Sequence, residues 1–181
     1  MIIPYGTLSL TFTNPKHDLI DTPLTAPDGE VHFTLSTMNG MLGRKITTIT
    51  STSGLVGTIH WRENSFSLDG VQVPVKDLKT KSGGLLSRER EWKWKNWGYK
   101  LKYHDWEKEL RAVPTHEHAA GNVSFWPYRP LIYKDGDLAT IQFPEIMKNE
   151  EERLFALMAI LYTDMERQDN NMIAGHTGGK V

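Results

Sequence analysis

The chain has no cysteine at any of its 181 positions. That excludes a disulfide scaffold, thiolate zinc sites and a cysteine nucleophile. It also lacks a surplus of either charge. Lys and Arg number 21 against 22 Asp and Glu, so bulk charge implies neither nucleic acid, which is not expected as a partner, nor an acidic surface. The N-terminus carries neither a basic leader nor a long apolar run, which sets the expectation of a cytoplasmic or nuclear protein without a secretion signal. On that expectation the Asn122-Val123-Ser124 sequon carries no weight. No Gly-x-Ser-x-Gly elbow occurs. The Gly175–Lys180 stretch fails as a phosphate loop, because Ala174 stands where its first glycine should be and Val181 where Ser or Thr should follow the lysine. No cofactor is implied, and no internal repeat is present.

One long apolar run is present, and the rest of the chain reads as arranged around it. Leu154, Phe155, Leu157, Met158, Ile160, Leu161 and Tyr162 leave no polar side when wound at 3.6 residues per turn, and a helix apolar all round must be buried all round. Asn149 and Glu152 have capping-box spacing, and three glutamates sit in the first turn where the helix dipole favours them. The expected helix spans 149–167. Its charged first turn and Asp164 make it a poor membrane span.

The preceding two thirds read as short strands and turns. Leu8, Leu10 and Phe12 alternate with polar neighbours, as do Val31, Phe33 and Leu35. A weaker strand is expected over 19–25, closed by Pro27-Asp28-Gly29. Leu55, Gly57, Ile59 and Trp61 share a face, and Asp69-Gly70 joins two β-rich runs as a hairpin. Residues 109–125 read as one or two strands, and 131–133 with 138–143 as a last hairpin. Many short strands at regular spacing imply an antiparallel barrel or sandwich.

The 92–103 stretch is the most distinctive. Trp92 and Trp94 alternate with Lys93 and Lys95, and Tyr99, Leu101 and Tyr103 alternate with Lys100 and Lys102. Folded as a hairpin with its tip at Asn96-Trp97-Gly98, it puts an aromatic ladder on one face and four lysines on the other. Between Lys76 and Lys102, nine basic residues face only three acids. Such a patch suits anionic lipid. With aromatic stacking it would also suit single-stranded nucleic acid, and the plainer reading is a solubilising face that blunts edge pairing.

Thr58-Ile59-His60-Trp61, the hairpin over 66–81, Trp92-Lys93-Trp94-Lys95 and the Leu-Ala-Thr-Ile-Gln-Phe-Pro-Glu run over 138–145 carry a family resemblance. By pattern and element order over most of 7–167, the chain resembles a fungal domain family without an assigned activity. That family is grouped with the tubby C-terminal-like, LURP-one-related and phospholipid-scramblase-like folds. The resemblance implies a mainly β fold with one central helix: a closed antiparallel barrel of about twelve short strands around the buried helix. It departs over 105–130, which is longer and richer in His and Trp. Residues 1–169 are expected to form one domain, with a flexible Gly-rich tail over 170–181.

Two function classes stay open. One is a non-enzymatic binding or interaction module that contacts an anionic phospholipid or a protein partner through Lys93, Lys95, Lys100 and Lys102, with Trp97 at the lipid interface. The other is a metal-dependent enzyme, because His116 and His118 share strand spacing and His104 offers a third ligand. No carboxylate follows His118 closely, and solvated histidines explain the pair as well.

Overall fold

A computed structural model describes residues 6–14, 16, 18–84, 87–116, 121–129 and 136–177, with side chains through 172. The first seven strands follow one another as an antiparallel meander: β1 (Thr7–Phe12), β2 (Pro23–Thr25), β3 (Val31–Gly40), β4 (Gly43–Ser51), β5 (Val56–His60), β6 (Ser65–Leu68) and β7 (Val71–Pro74). A single helical turn, α1 (Val75–Leu78), leads into a second meander: β8 (Lys79–Lys81), β9 (Arg90–Trp94), β10 (Trp97–His104), β11 (Glu109–Pro114), β12 (Val123–Trp126) and β13 (Thr140–Pro144). The last strand pairs with the first, Leu10 opposite Ile141. The two meanders thus form one thirteen-stranded sheet with β7 and β8 at its ends.

The sheet is not closed into a barrel, which corrects the expectation. Alternation tells a strand which face to bury, but it does not say that the outermost strands will hydrogen-bond. Among the described residues β7 pairs only with β6 and β8 only with β9. α1 lies between the two ends and touches β7, β8 and β9. What crosses the gap is side chain: the Phe66 ring of β6 stacks on Trp92 of β9, centroids 5.3 Å apart.

The sheet wraps α2 (Glu150–Thr177). Every residue from 154 to 161 is at most 1% exposed, and Tyr162 is 6% exposed. The enclosing wall alternates as strands must: Phe33 and Leu35, Ile59, Trp92 and Trp94, Tyr99 and Leu101, Val123 and Phe125, and Ile141 and Phe143 all turn inward and are buried. Burying each large apolar side chain contributes roughly 1.5–3 kcal/mol. α2 therefore ties strands of both meanders together, touching β5 and β6 on one side and β10 and β11 on the other.

Other expectations also shift. The helix runs to Thr177 rather than stopping at 167, so 170–177 are helical rather than a loose tail. Leu19 and Ile20 are buried, but in a bend, and only Pro23–Thr25 is strand. Asp69-Gly70 makes the two-residue turn its sequence announced, with φ of 51° and 72°. The expected strand over 131–133 lies outside the described residues.

β5 approaches α2 closely because Gly57 faces it. A Cβ built there would lie 2.7 Å from Met158 Sδ and 3.1 Å from Leu154 Cγ. Gly57→Val should therefore overpack this contact and destabilise the fold by about 1–3 kcal/mol. Urea unfolding should show a lower midpoint with an unchanged slope.

Candidate functional site

The 92–103 hairpin forms with Trp94 opposite Trp97, Trp92 opposite Tyr99 and Glu91 opposite Lys100. That register makes Lys95-Asn96 the turn, with Lys95 at φ 50°. Trp97 and Gly98 already belong to β10, so the tip is not Asn96-Trp97-Gly98. The aromatic ladder is core. Trp92, Trp94 and Tyr99 are buried, and Trp94 meets Phe155 of α2 at 6.0 Å. Trp97 is half-buried against the core rather than projecting.

The lysines separate into two groups. Lys93 and Lys102 are exposed and Lys100 half-exposed on the outer face. Among the described residues no carboxylate lies within ion-pair distance of these three. Lys95 is drawn away by the turn. Its Nζ lies 2.8 Å from Glu151 Oε1 and 3.6 Å from Asp69 Oδ2. The hydrogen bond to Glu151 and the charges of both acids hold its pKa above the usual lysine value. Beside Lys102, Arg111 is opposite in register and is itself held by Glu109, with Nε 3.1 Å from Oε1. Burial pushes the Glu109 carboxyl up, but hydrogen bonds from Arg111 and Ser124 outweigh it and hold the carboxyl below its ordinary pKa. The outer strip is thus Lys93, Lys100 and Lys102, without Lys95 or Trp97.

The histidines do not gather. His116 lies beside Gly98 at the start of β10 and His104 ends that strand, six residues or about 20 Å away. His104 Nδ1 lies 3.7 Å from Glu107. His118 lies outside the described residues. Among the described residues no three His, Asp or Glu side chains group as metal ligands. His104 and His116 cannot share one ion.

His116 instead belongs to a polar knot at the N-terminal end of α2. Its Nε2 is 3.0 Å from Glu152 Oε1, Nδ1 faces the Gly98 backbone at 3.2 Å, and its ring meets Tyr99 edge-on at 5.5 Å. The Tyr99 hydroxyl donates to the same Glu152 oxygen. The expected capping box is therefore half present. Asn149 Oδ1 accepts from the Glu152 N–H at 3.1 Å, but the carboxylate turns to Tyr99 and His116. Nothing in the spacing announced this, because the partners are about fifty and thirty-five residues distant in the chain.

The other end of the buried helix segment carries a second knot. Lys79 Nζ reaches Glu166 at 2.7 Å and lies over the rings of Tyr162 and Trp92 at 5.1 and 5.5 Å. Arg44 pairs with Asp169 and covers Trp61 at 4.9 Å, and Trp61 stacks on Tyr162. Beyond Arg44, the β3–β4 turn holds Met41 and Leu42 at 102% and 89% exposure. No acid occurs in the sequence between Glu30 and Glu63, so the strands at this tip bring Arg44, Lys45 and Arg62, while Glu166 and Asp169 of α2 line the same recess as Leu42. Comparison with family models, curated proteins and solved structures finds no match to this chain. Among the described residues no helix is long and apolar enough to cross a membrane.

The tyrosines of the two knots set an alkaline limit. Burial, then the nearby Glu152, pushes Tyr99 well above the usual phenol value. Burial and Glu166 push Tyr162 up to about 12 from 10.0. Unfolded phenols ionise first, so the unfolded state binds fewer protons than the native state above pH 10. Stability is fully present below that pH and should fall as pH rises through the 10–12 window. Urea melts across this range should show the loss, with a shallower slope in Tyr162→Phe.

Proposed function

We propose that the chain is a non-enzymatic binding module that meets an anionic phospholipid surface through Lys93, Lys100 and Lys102. The observation that supports this is the division of the hairpin. Its aromatic side chains turn inward and lock the strands, while three lysines, none within ion-pair distance of a carboxylate among the described residues, share the outer face with Glu91 opposite Lys100. Near an anionic membrane each lysine is worth roughly 1 kcal/mol. The resemblance to the tubby-like group belongs to the same proposal and rests on element order, strands first and an enclosed helix last. An acidic protein partner would read the same strip and is an alternative outcome of the test.

A second placement of the contact has its own support. The Met41-Leu42 tip pairs two exposed apolar side chains with Arg44, Lys45 and Arg62, of which Arg44 is paired with Asp169, a combination suited to a membrane interface. The two surfaces lie on different strand pairs, so one set of variants separates them.

Sedimentation with phosphatidylcholine vesicles containing phosphoinositide is the measurement. Lys93→Gln, Lys100→Gln and Lys102→Gln together should weaken binding by roughly 100-fold and leave the melting temperature unchanged. Wild-type binding should weaken with salt. If the loss follows Met41→Ser with Leu42→Ser instead, the contact is the tip. Wild-type protein that ignores these vesicles at low salt would exclude the lipid reading.

A further inference from the structure

Beside the C-terminal half of α2, a cleft of about 560 Å³ opens between the helix and the loops preceding β2, between β10 and β11, and after β12. Its walls are mixed. Leu19, Tyr103, Pro127, Tyr128 and Met165 supply an apolar lining. Leu19 and Met165 pack onto the hydrophobic core itself, so the lining is fixed by folding rather than by loop chemistry.

The charges along this cleft do not balance. Arg167 is accounted for: its guanidinium lies over the Tyr103 ring at 4.3 Å and donates to Asp164 at 2.8 Å. That carboxylate is fully buried and also receives Gln168 Nε2 at 2.7 Å. Lys108 and Arg129 are different. Both line the cleft, and among the described residues neither has a carboxylate within ion-pair distance. Arg129 donates through one amino group to the carbonyls of Glu107 and Lys108, at 2.6 and 3.5 Å. Its Nε is buried and finds no acceptor. The same side chain also lines an adjoining recess with Glu107 and Asp137. Among the described residues the carboxylate on the lining is Asp18, which accepts the Ile20 N–H at 3.0 Å and keeps its charge.

We propose that this cleft is a binding site for a small amphiphilic monoanion: a carboxylate on an unbranched apolar chain. The carboxylate sits between Lys108 and Arg129, where, among the described residues, two cations outside ion pairs outnumber the single Asp18 carboxylate of the lining. The chain lies along Leu19, Met165 and the two tyrosines, in the manner of sites that combine an apolar lining with a few placed polar groups. The proposal is independent of the lysine strip, which lies on the outer face of the sheet and takes a surface rather than a single molecule.

Dodecanoate, kept below its micelle concentration, is the probe. Titrated into the intact chain and followed by NMR, it should bind saturably and shift the Met165 methyl and the Leu19 amide. Dodecanol, which keeps the chain and loses the charge, should bind more weakly by roughly tenfold. Arg129→Gln should weaken dodecanoate binding similarly. That variant also removes the bonds to the 107 and 108 carbonyls, so Lys108→Gln, at an exposed position, supplies a variant whose fold is not in question. It too should lose affinity for dodecanoate but not for dodecanol. Absence of saturable binding, equal affinity for acid and alcohol, shifts confined to other regions, or Lys108→Gln and Arg129→Gln proteins that both bind as wild type would each overturn the proposal.

Discussion

Burial of a helix segment with no polar side is the constraint on which the rest depends. Nine consecutive residues of α2 from Leu154 to Tyr162 are removed from water, and only a surrounding wall can do that. The wall is recruited from both meanders. The close approach at Gly57, the Trp94–Phe155 contact and the stacked Phe66–Trp92 pair are consequences of fitting strands around one rod. Where the apolar segment ends, acids begin, and they find partners on the sheet and its turns: Glu151 takes Lys95, Glu152 takes Tyr99, Glu166 takes Lys79 and Asp169 takes Arg44. The helix is apolar in its middle and tethered at both ends.

The topology follows from the same requirement. The first and last strands pair in the middle of the sheet, while the edges are strands joined directly through α1. Both edges are short, of four and three residues, which limits the backbone they offer to other chains. β8 also carries Lys79 and Lys81. Its inward lysine is held by Glu166 and two rings rather than by a strand partner. The edge is thus fixed by side chains onto the helix, not by closure of the hydrogen-bond ladder.

This distinction explains which features could be read in advance. The buried helix was legible because its apolar residues occupy every angle, and the inward set of each strand was legible because alternation has period two. Sheet closure was not legible, since edge pairing leaves no mark on alternation. The last helical turns were hidden because Asn170, Asn171 and Gly175 resemble a tail, and a helix that outruns its core shows no apolar period. Along β9 and β10 the faces were right, but one turn position was misjudged. That moved Lys95 into an ion pair and Trp97 into the wall. The sequence offers His104 as a third ligand beside His116 and His118, but the length of β10 separates it from His116. The Glu152–Tyr99–His116 knot and the Lys108–Arg129 cleft join residues far apart in sequence and left no local signal.

Native-state hydrogen exchange of the α2 amides tests the central claim most directly. If the sheet is built around this segment, amides 154–162 are released only when the whole fold opens. Their exchange free energies should then equal the global unfolding free energy measured with urea, with β7 and β8 exchanging earlier. Exchange from 154–162 at a lower free energy than from β1 and β13 would mean that the helix leaves while the sheet persists, and would contradict the account.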